Sequence, residues 1–518
     1  MQKRLLCALL GLCLLAALLS GCGATPAAQV SEPPATNPPP TAAPIAAVTA
    51  EPAPQSAEPK YIFLFIGDGM SHVQVNAAQV YLGNNTSGEV EPAKLNFTTF
   101  PVAGVATTYD ATSFCPDSAS TATSVSSGVK THSGVIGMEV DKTSKTRSIT
   151  EMLKDAGRKI GIVSSVTINH ATPAAFYAHQ ASRNDYYDIA LQMSANGFDY
   201  YAGGTIQSPN GSDGSKESAF DILKRDGYTI VDTQESIRAL KKGDEKVYAV
   251  SPLLQDSGAM SYAVDNDEGV VSLAEFVGKG IELLDNENGF FLMCESGKID
   301  WSCHANDAFT AIREVIEFEG AIQQAVDFAA QHPDETLILV TGDHETGGLT
   351  IGYATTGYST AFSILNRQKM SYVAFDSLIG DLKAQNTALT LEDVLPLIKE
   401  DFGLLTESDP DAAVEANAAF VLNEYEYKKL ADAFAESMKA SEERDASVEA
   451  GLLYGSYDPL SVTLTHIVNN KAGIGWTSYA HTGTPVPIYA MGAGAEAFGG
   501  SYDNTDIFRK LAELTQAK

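Results

Sequence analysis

The stretch YIFLFIGDGM, residues 61–70, runs six apolar or aromatic side chains straight into a Gly-Asp-Gly turn. A continuous apolar run of that length bounded by glycine is what a strand buried on both faces looks like, because a half-exposed strand alternates with polar residues. Three later stretches repeat the design: KIGIVSSVTINHATPAAF (159–176), GFFLMCESGKIDWSCH (289–304) and LILVTGDHETGG (337–348). Each apolar run ends in acidic, hydroxyl or histidine residues. Between them lie helical stretches such as DAFTAIREVIEFEGAIQQAVDFAAQ (307–331), whose apolar residues recur three and four apart. This alternation predicts an α/β fold, a three-layer α/β/α sandwich whose central sheet is mostly parallel. Ligands of such sheets sit beyond the carboxyl ends of the strands, which is where the polar clusters fall.

On the amino-terminal side, MQKRLLCALLGLCLLAALLSGC couples Lys3 and Arg4 to an apolar run over 5–19, the pattern of a secretory signal covering 1–21. Its ending LSGC resembles a lipobox. Cys22 is therefore expected to carry lipid and to hold the protein on an extracytoplasmic membrane surface, each buried CH₂ contributing about 0.8 kcal/mol. Residues 22–59 carry ten of the chain's 22 prolines; too polar and proline-rich to form a core, they read as a disordered tether. The folded domain is expected over 60–518. Within it, 205–260 reads as peripheral decoration, and a helix-rich acidic stretch over about 352–472 reads as an insertion across the functional face.

The formal charge of −31 over 518 residues excludes a nucleic-acid partner, since no basic stripe exists to neutralise a phosphate backbone. Of the six cysteines, Cys7 and Cys13 leave with the signal and Cys22 takes the lipid, so Cys115, Cys294 and Cys303 remain. An odd number rules out a complete disulfide framework, and the missing CxxC spacing argues against a zinc ribbon.

The strand ends supply oxygen and nitrogen ligands for divalent metals. Asp68 follows the first strand. Glu295 ends the third, with Asp300 and His304 after it; on a helix these last two are one turn apart and share a face. Asp343 and His344 close the fourth strand, and His481 arrives from AHTG. Singly each has an ordinary explanation as a cap, a turn or a surface histidine; together they suffice for two zinc-like sites and one harder, magnesium-like site. The remaining question is CPDSASTATSVSSGVKT (115–131), with seven serines and threonines between Asp117 and Lys130. No GxSxG elbow surrounds it and no histidine adjoins it, and close helix packing accounts for such a stretch as readily as a nucleophile does.

The motifs GDGM, DSAST, ATPAAFYAHQASR, ESGKIDWSCH, GDHETGG and AHTG resemble those of the alkaline phosphatases in order and approximate spacing, from Tyr61 to the C-terminus apart from parts of the insertion. The resemblance implies hydrolysis of small phosphate monoesters through a phosphoserine at Ser118, with Arg183 gripping two phosphate oxygens. It implies one zinc on Asp300, His304 and His481, and another on Asp68, Asp343, His344 and the Ser118 oxygen. A magnesium would sit on Asp68, Thr172 and Glu295, with cobalt able to replace one or more of these ions. Ser118 then needs no histidine, because a coordinated cation stabilises its alkoxide. Asp117 would orient Arg183 or its loop, and Ser120, Thr121, Thr123, Ser124, Ser126 and Ser127 would be packing residues. Where the best-studied bacterial form has an aspartate and a lysine, this chain has His170 and Trp301, a combination similar to other bacterial members; His170 either serves the third metal or its water, or lines the pocket wall. Family members are commonly dimers, so a homodimer is expected. The alternatives are a phosphodiesterase of the same superfamily and a non-catalytic phosphate- or metal-binding lipoprotein; the CxPxR motif of sulfatases is missing.

Overall fold

The computed structural model describes residues 58–517 except 87–89, 268 and 387. The signal segment, Cys22 and the tether up to residue 57 lie outside the described residues. The strands are, in chain order, β1 (Tyr61–Gly67), β2 (Val102–Thr107), β3 (Lys159–Ser164), β4 (Tyr200–Gly203), β5 (Thr229–Val231), β6 (Val247–Val250), β7 (Leu254–Gln255), β8 (Ala259–Met260), β9 (Phe290–Ser296), β10 (Thr336–Gly342), β11 (Glu345–Thr346), β12 (Thr350–Ile351), β13 (Ile474–Gly475), β14 (His481–Thr482), β15 (Val486–Gly492) and β16 (Gly500–Asp503). Ten of them form one sheet in the order β16-β2-β15-β10-β1-β9-β3-β4-β6-β5. All neighbours pair in parallel except those of β15, which runs against both β10 and β2.

Every residue of β1, β9 and β10 is buried, as an apolar run without alternation requires. Successive side chains point to opposite faces. Tyr61, Phe63, Phe65, Phe290 and Leu292 join one apolar cluster with Phe276, Ile312, Val315 and Phe318, from the helices Leu273–Leu284 and Ala308–Gln331. Ile62, Leu64, Ile66, Phe291 and Met293 join a second with Ala119, Ala122, Ile149, Ile189 and Leu511, from helices on the other face. The chain is thus the expected three-layer sandwich. Each large side chain so buried contributes about 1.5–3 kcal/mol, which is why the middle strands are the least polar part of the sequence.

One region differs in detail from the sequence reading. The 205–260 region is no separate decoration: β6 and β5 continue the main sheet beyond β4, and their shortness hid them. The segment between β12 and β13 leaves and returns through an antiparallel ribbon, Thr350 opposite Gly475 and Ile351 opposite Ile474. Its last helix, Pro459–Ala472, sends Leu460, Leu464, Ile467 and Val468 into the same apolar cluster as β1 and β9. Among the described residues no helix is long and apolar enough to cross a membrane.

Candidate active site

The parallel register aligns the strand ends. Gly67 lies level with Gly342 and with Ser296, and Ser164 lies level with Glu295. Asp68, Glu295 and Asp343 therefore emerge at one edge, although up to 275 positions separate them in sequence (343 − 68). The turn after β1 depends on Gly69, whose φ of +71° suits glycine, and a Cβ there would come within 2.9 Å of the Asp300 Cα. The residues after Ser296 form the helix Lys298–His304, so Asp300 and His304 share a face and His304 Nε2 lies 3.3 Å from Asp300 Oδ2. His481 is delivered by the ribbon of β11 and β14, where it pairs with Thr346.

Ser118 is the first residue of the helix Ser118–Ser127, capped by Asp117, whose side chain accepts the Ser120 N–H. The Ser118 hydroxyl is buried and lies 3.2 Å from His344 Nε2. The same nitrogen is 3.3 Å from Asp68 Oδ1 and 3.3 Å from Asp343 Oδ2. Three overlapping groups of ligand atoms, each within 4.8 Å of one another, result: Asp68 with Asp343 and His344, Asp300 with His344 and His481, and Asp68 with His170 and Glu295. Thr172 enters the last through its hydroxyl, 3.3 Å from Asp68 Oδ2. His304 belongs to the second by its 3.1 Å approach to His481 Nε2. Arg183 donates to Asp117 Oδ2 at 2.9 Å and lies 3.1 Å from His170 Nε2. The ring of His170 meets Trp301 edge-on, with centroids 5.8 Å apart. Every sequence-predicted site residue among the described residues is therefore at this edge.

The electrostatics fit divalent cations. Four carboxylates, Asp68, Glu295, Asp300 and Asp343, are buried together, while the nearest guanidinium, Arg183, is paired with Asp117. Burial raises the Asp68 carboxyl well above its ordinary value, and the charges of Asp343, Asp300 and Glu295 add to the shift. Burial also pushes Asp343 and Glu295 up to about 7 each. Asp68 Oδ1 and Glu295 Oε1 are buried without a hydrogen-bond donor. His304 Nδ1 and His481 Nδ1 each lie 2.6 Å from a backbone carbonyl, those of Tyr479 and Pro116. Both rings thus carry their proton on Nδ1 and, when neutral, aim lone pairs at each other beside Asp300. A cation between them removes that repulsion.

Sequence reasoning missed the hydroxyls that hold these ligands. Thr121, read as a packing residue, donates to Asp343 Oδ2 at 3.1 Å. Thr346 donates to Asp300 Oδ1 at 2.5 Å, and Ser164 donates to Glu295. The stretches ETGG, DSAST and IVSS were present, but a short hydroxyl has no spacing that marks it as a partner of a distant carboxylate.

The alkaline phosphatase family model matches residues 59–203 and 197–517. The chain belongs to the alkaline phosphatase family. Alkaline phosphatase 4 of Bacillus subtilis is 31% identical over 463 residues, covering 87% of each chain, and alkaline phosphatase 3 of the same organism is 29% identical over 469 residues, covering 89% of each. Among solved structures, a cold-active alkaline phosphatase from a psychrophilic Shewanella matches with a TM-score of 0.71 at 27% identity, covering 88% of this chain and 99% of that one. Family and fold make this chain a phosphatase, a metal-binding hydrolase, and the groups of side chains able to hold a metal cluster at the carboxyl edge of its sheet.

Proposed function

We propose that this alkaline phosphatase hydrolyses phosphate monoesters in two displacements at Ser118, using two zinc ions and one magnesium ion, while tethered outside the cytoplasm by lipid on Cys22. The observation that carries the reading is the position of the Ser118 hydroxyl, at the start of a helix and within 3.2 Å of His344 Nε2. Asp68, Asp343 and His344 would hold one zinc, and Asp300, His304 and His481 the other. Asp68, Glu295 and Thr172 would hold the magnesium, with the neutral His170 beside them. When bound, the cations supply Lewis acidity, lowering the pKa of a hydroxyl or water they touch and neutralising charge on the phosphoryl oxygens.

The chain's own residues do the rest. Asp117 and His170 fix the guanidinium of Arg183 in the cavity wall, from which its remaining N–H groups reach phosphate oxygens. The free N–H groups at the start of the Ser118–Ser127 helix face the same anion. Ser118 Oγ bonds to phosphorus as the alcohol departs, and water later displaces Ser118. Arg183 favours monoesters over diesters because a dianionic group gains more from a guanidinium. A homodimer is proposed on the family resemblance, to be checked by light scattering.

The test is acid quenching during turnover of 4-nitrophenyl phosphate. A phosphorylated peptide containing Ser118, together with faster hydrolysis of that monoester than of bis(4-nitrophenyl) phosphate, is the expected result. Unchanged turnover by Ser118→Ala, or preferred cleavage of the diester, would overturn the reading. Release of Cys22→Ala protein into the medium checks the tether.

A further inference from the structure

The cavity that contains Ser118 measures about 560 Å³ and has two unlike ends. Phosphate chemistry occupies one end. The other is walled by Trp301, Tyr372, Tyr457, Tyr479 and the carboxylate of Asp256. The mechanism proposed above gives none of these side chains a part in phosphoryl transfer, yet they line the same cavity as Ser118 and Arg183.

The wall is built, not incidental. Tyr372 and Tyr457 come from the segment between β12 and β13 and meet edge to face, with centroids 5.7 Å apart; Tyr457 and Tyr479 follow at 6.3 Å. The Tyr262 hydroxyl donates to that of Tyr372 at 3.3 Å, and the Tyr479 hydroxyl donates to the Leu453 carbonyl at 2.6 Å, so two of the rings are tied in place. Asp256 sits in the turn between β7 and β8, where Asp256 and Ser257 have φ of +43° and +60°. Successive left-handed L-residues carry strain of about 1–2 kcal/mol each; such strain persists where the surroundings enforce it. Here the Thr205 and Met260 N–H groups anchor the turn, bonding the Gly258 and Ser165 carbonyls at 2.9 Å each. Asp256 lines the cavity together with these rings, and after burial its charge is the next cause raising the phenol pKa of Tyr372.

Lys298, behind these rings, is fully buried, with its ammonium 3.5 Å over the Tyr262 ring and 5.1 Å from that of Trp301. The Glu314 and Asp265 charges act on it along with Asp256. It therefore sits behind the wall rather than in the space. Aromatic faces grouped around a carboxylate recognise organic ammonium groups, since the ring quadrupoles and the negative charge attract a weakly hydrated cation together.

We propose that this end of the cavity is a subsite for the alcohol moiety and selects monoesters whose alcohol bears a small organic cation, with Asp256, Tyr457 and Trp301 as specificity-determining residues. The proposal rests on the phosphomonoesterase reading above. It is tested by comparing kcat/KM for phosphocholine with that for its uncharged isostere 3,3-dimethylbutyl phosphate, in the wild-type holoenzyme, in Asp256→Asn and in Tyr457→Leu. The expected wild-type preference for phosphocholine is about tenfold, carried mainly by KM. It falls towards unity in Asp256→Asn and by a smaller factor in Tyr457→Leu. The ratio cancels the concentration of active enzyme, so partial misfolding of a variant does not blur it. Equal use of the two substrates by the wild type, or a preference that survives both substitutions, overturns the proposal. Failure to hydrolyse 4-nitrophenyl phosphate would instead strike the underlying phosphatase reading.

Discussion

The carboxyl edge of the sheet and the His179–Glu151 pair at its flank both take ionisable groups out of water, in opposite ways. At the flank the charges match: His179 Nε2 lies 3.0 Å from Glu151 Oε1 and its Nδ1 lies 2.6 Å from the Gly137 carbonyl, with side chains 9% and 24% exposed. At the edge four buried carboxylates meet imidazoles, and the guanidinium beside them, Arg183, is already paired with Asp117. The first region is electrically complete when folded. The second lacks matching charge of its own; in the proposed reading divalent ions would supply it and would also act on Ser118 and on phosphate.

The sharpest way to break this comparison is to remove the nucleophile. Ser118→Ala leaves every carboxylate and imidazole ligand in place and is expected to lower kcat on 4-nitrophenyl phosphate by at least about 10³-fold, with metal content unchanged by elemental analysis. Next comes removal of the ions. Exhaustive chelation should abolish turnover and lower the melting temperature, because ligands present at a thousandfold excess over Kd stabilise by about 4 kcal/mol; calorimetry before and after adding back zinc and magnesium reads the effect. A smaller loss is expected for Thr121→Val, which strips Asp343 of its hydroxyl donor. Zinc titration of the apoenzyme should show affinity weaker by about 10–100-fold, with near-normal kcat at saturating zinc.

The flank should show the smallest effect and a definite sign. Burial opposes the charge on His179, but the hydrogen bonds to Glu151 and to the Gly137 carbonyl outweigh it and raise its pKa above 6.5. A raised folded-state value means the stabilisation is fully present below the unfolded pKa near 6.5 and is lost as pH rises through the folded value. His179→Gln should therefore cost under about 1 kcal/mol at pH 6 and still less at pH 9 in urea denaturation. A larger cost at pH 9 would mean the pair is not the matched one described.

Much of this was legible in the primary structure for a physical reason. A strand buried on both faces must be uniformly apolar, so β1, β9 and β10 announced themselves, and the polar residues ending them had to share an edge once the strands were parallel. Asp68, Glu295 and Asp343 followed from that, whereas Ser118, at the start of a helix, was singled out only by the family resemblance. The strands β2, β15 and β16 were not legible: β2 is only partly buried, and β15 reverses direction, which no local pattern encodes. Thr346 and Asp256 were also hidden. Their roles arise from a hydrogen bond to Asp300 on a distant helix and from a strained turn, and neither leaves a periodic trace.

The central claim, that the edge is charge-balanced only by bound ions, is tested most directly by elemental analysis of the purified protein, with activity followed as metals are withdrawn. The account expects two zinc-like ions and one magnesium-like ion per chain, with turnover falling as they leave and returning as they are restored. Full activity in a protein stripped of divalent metal would contradict it.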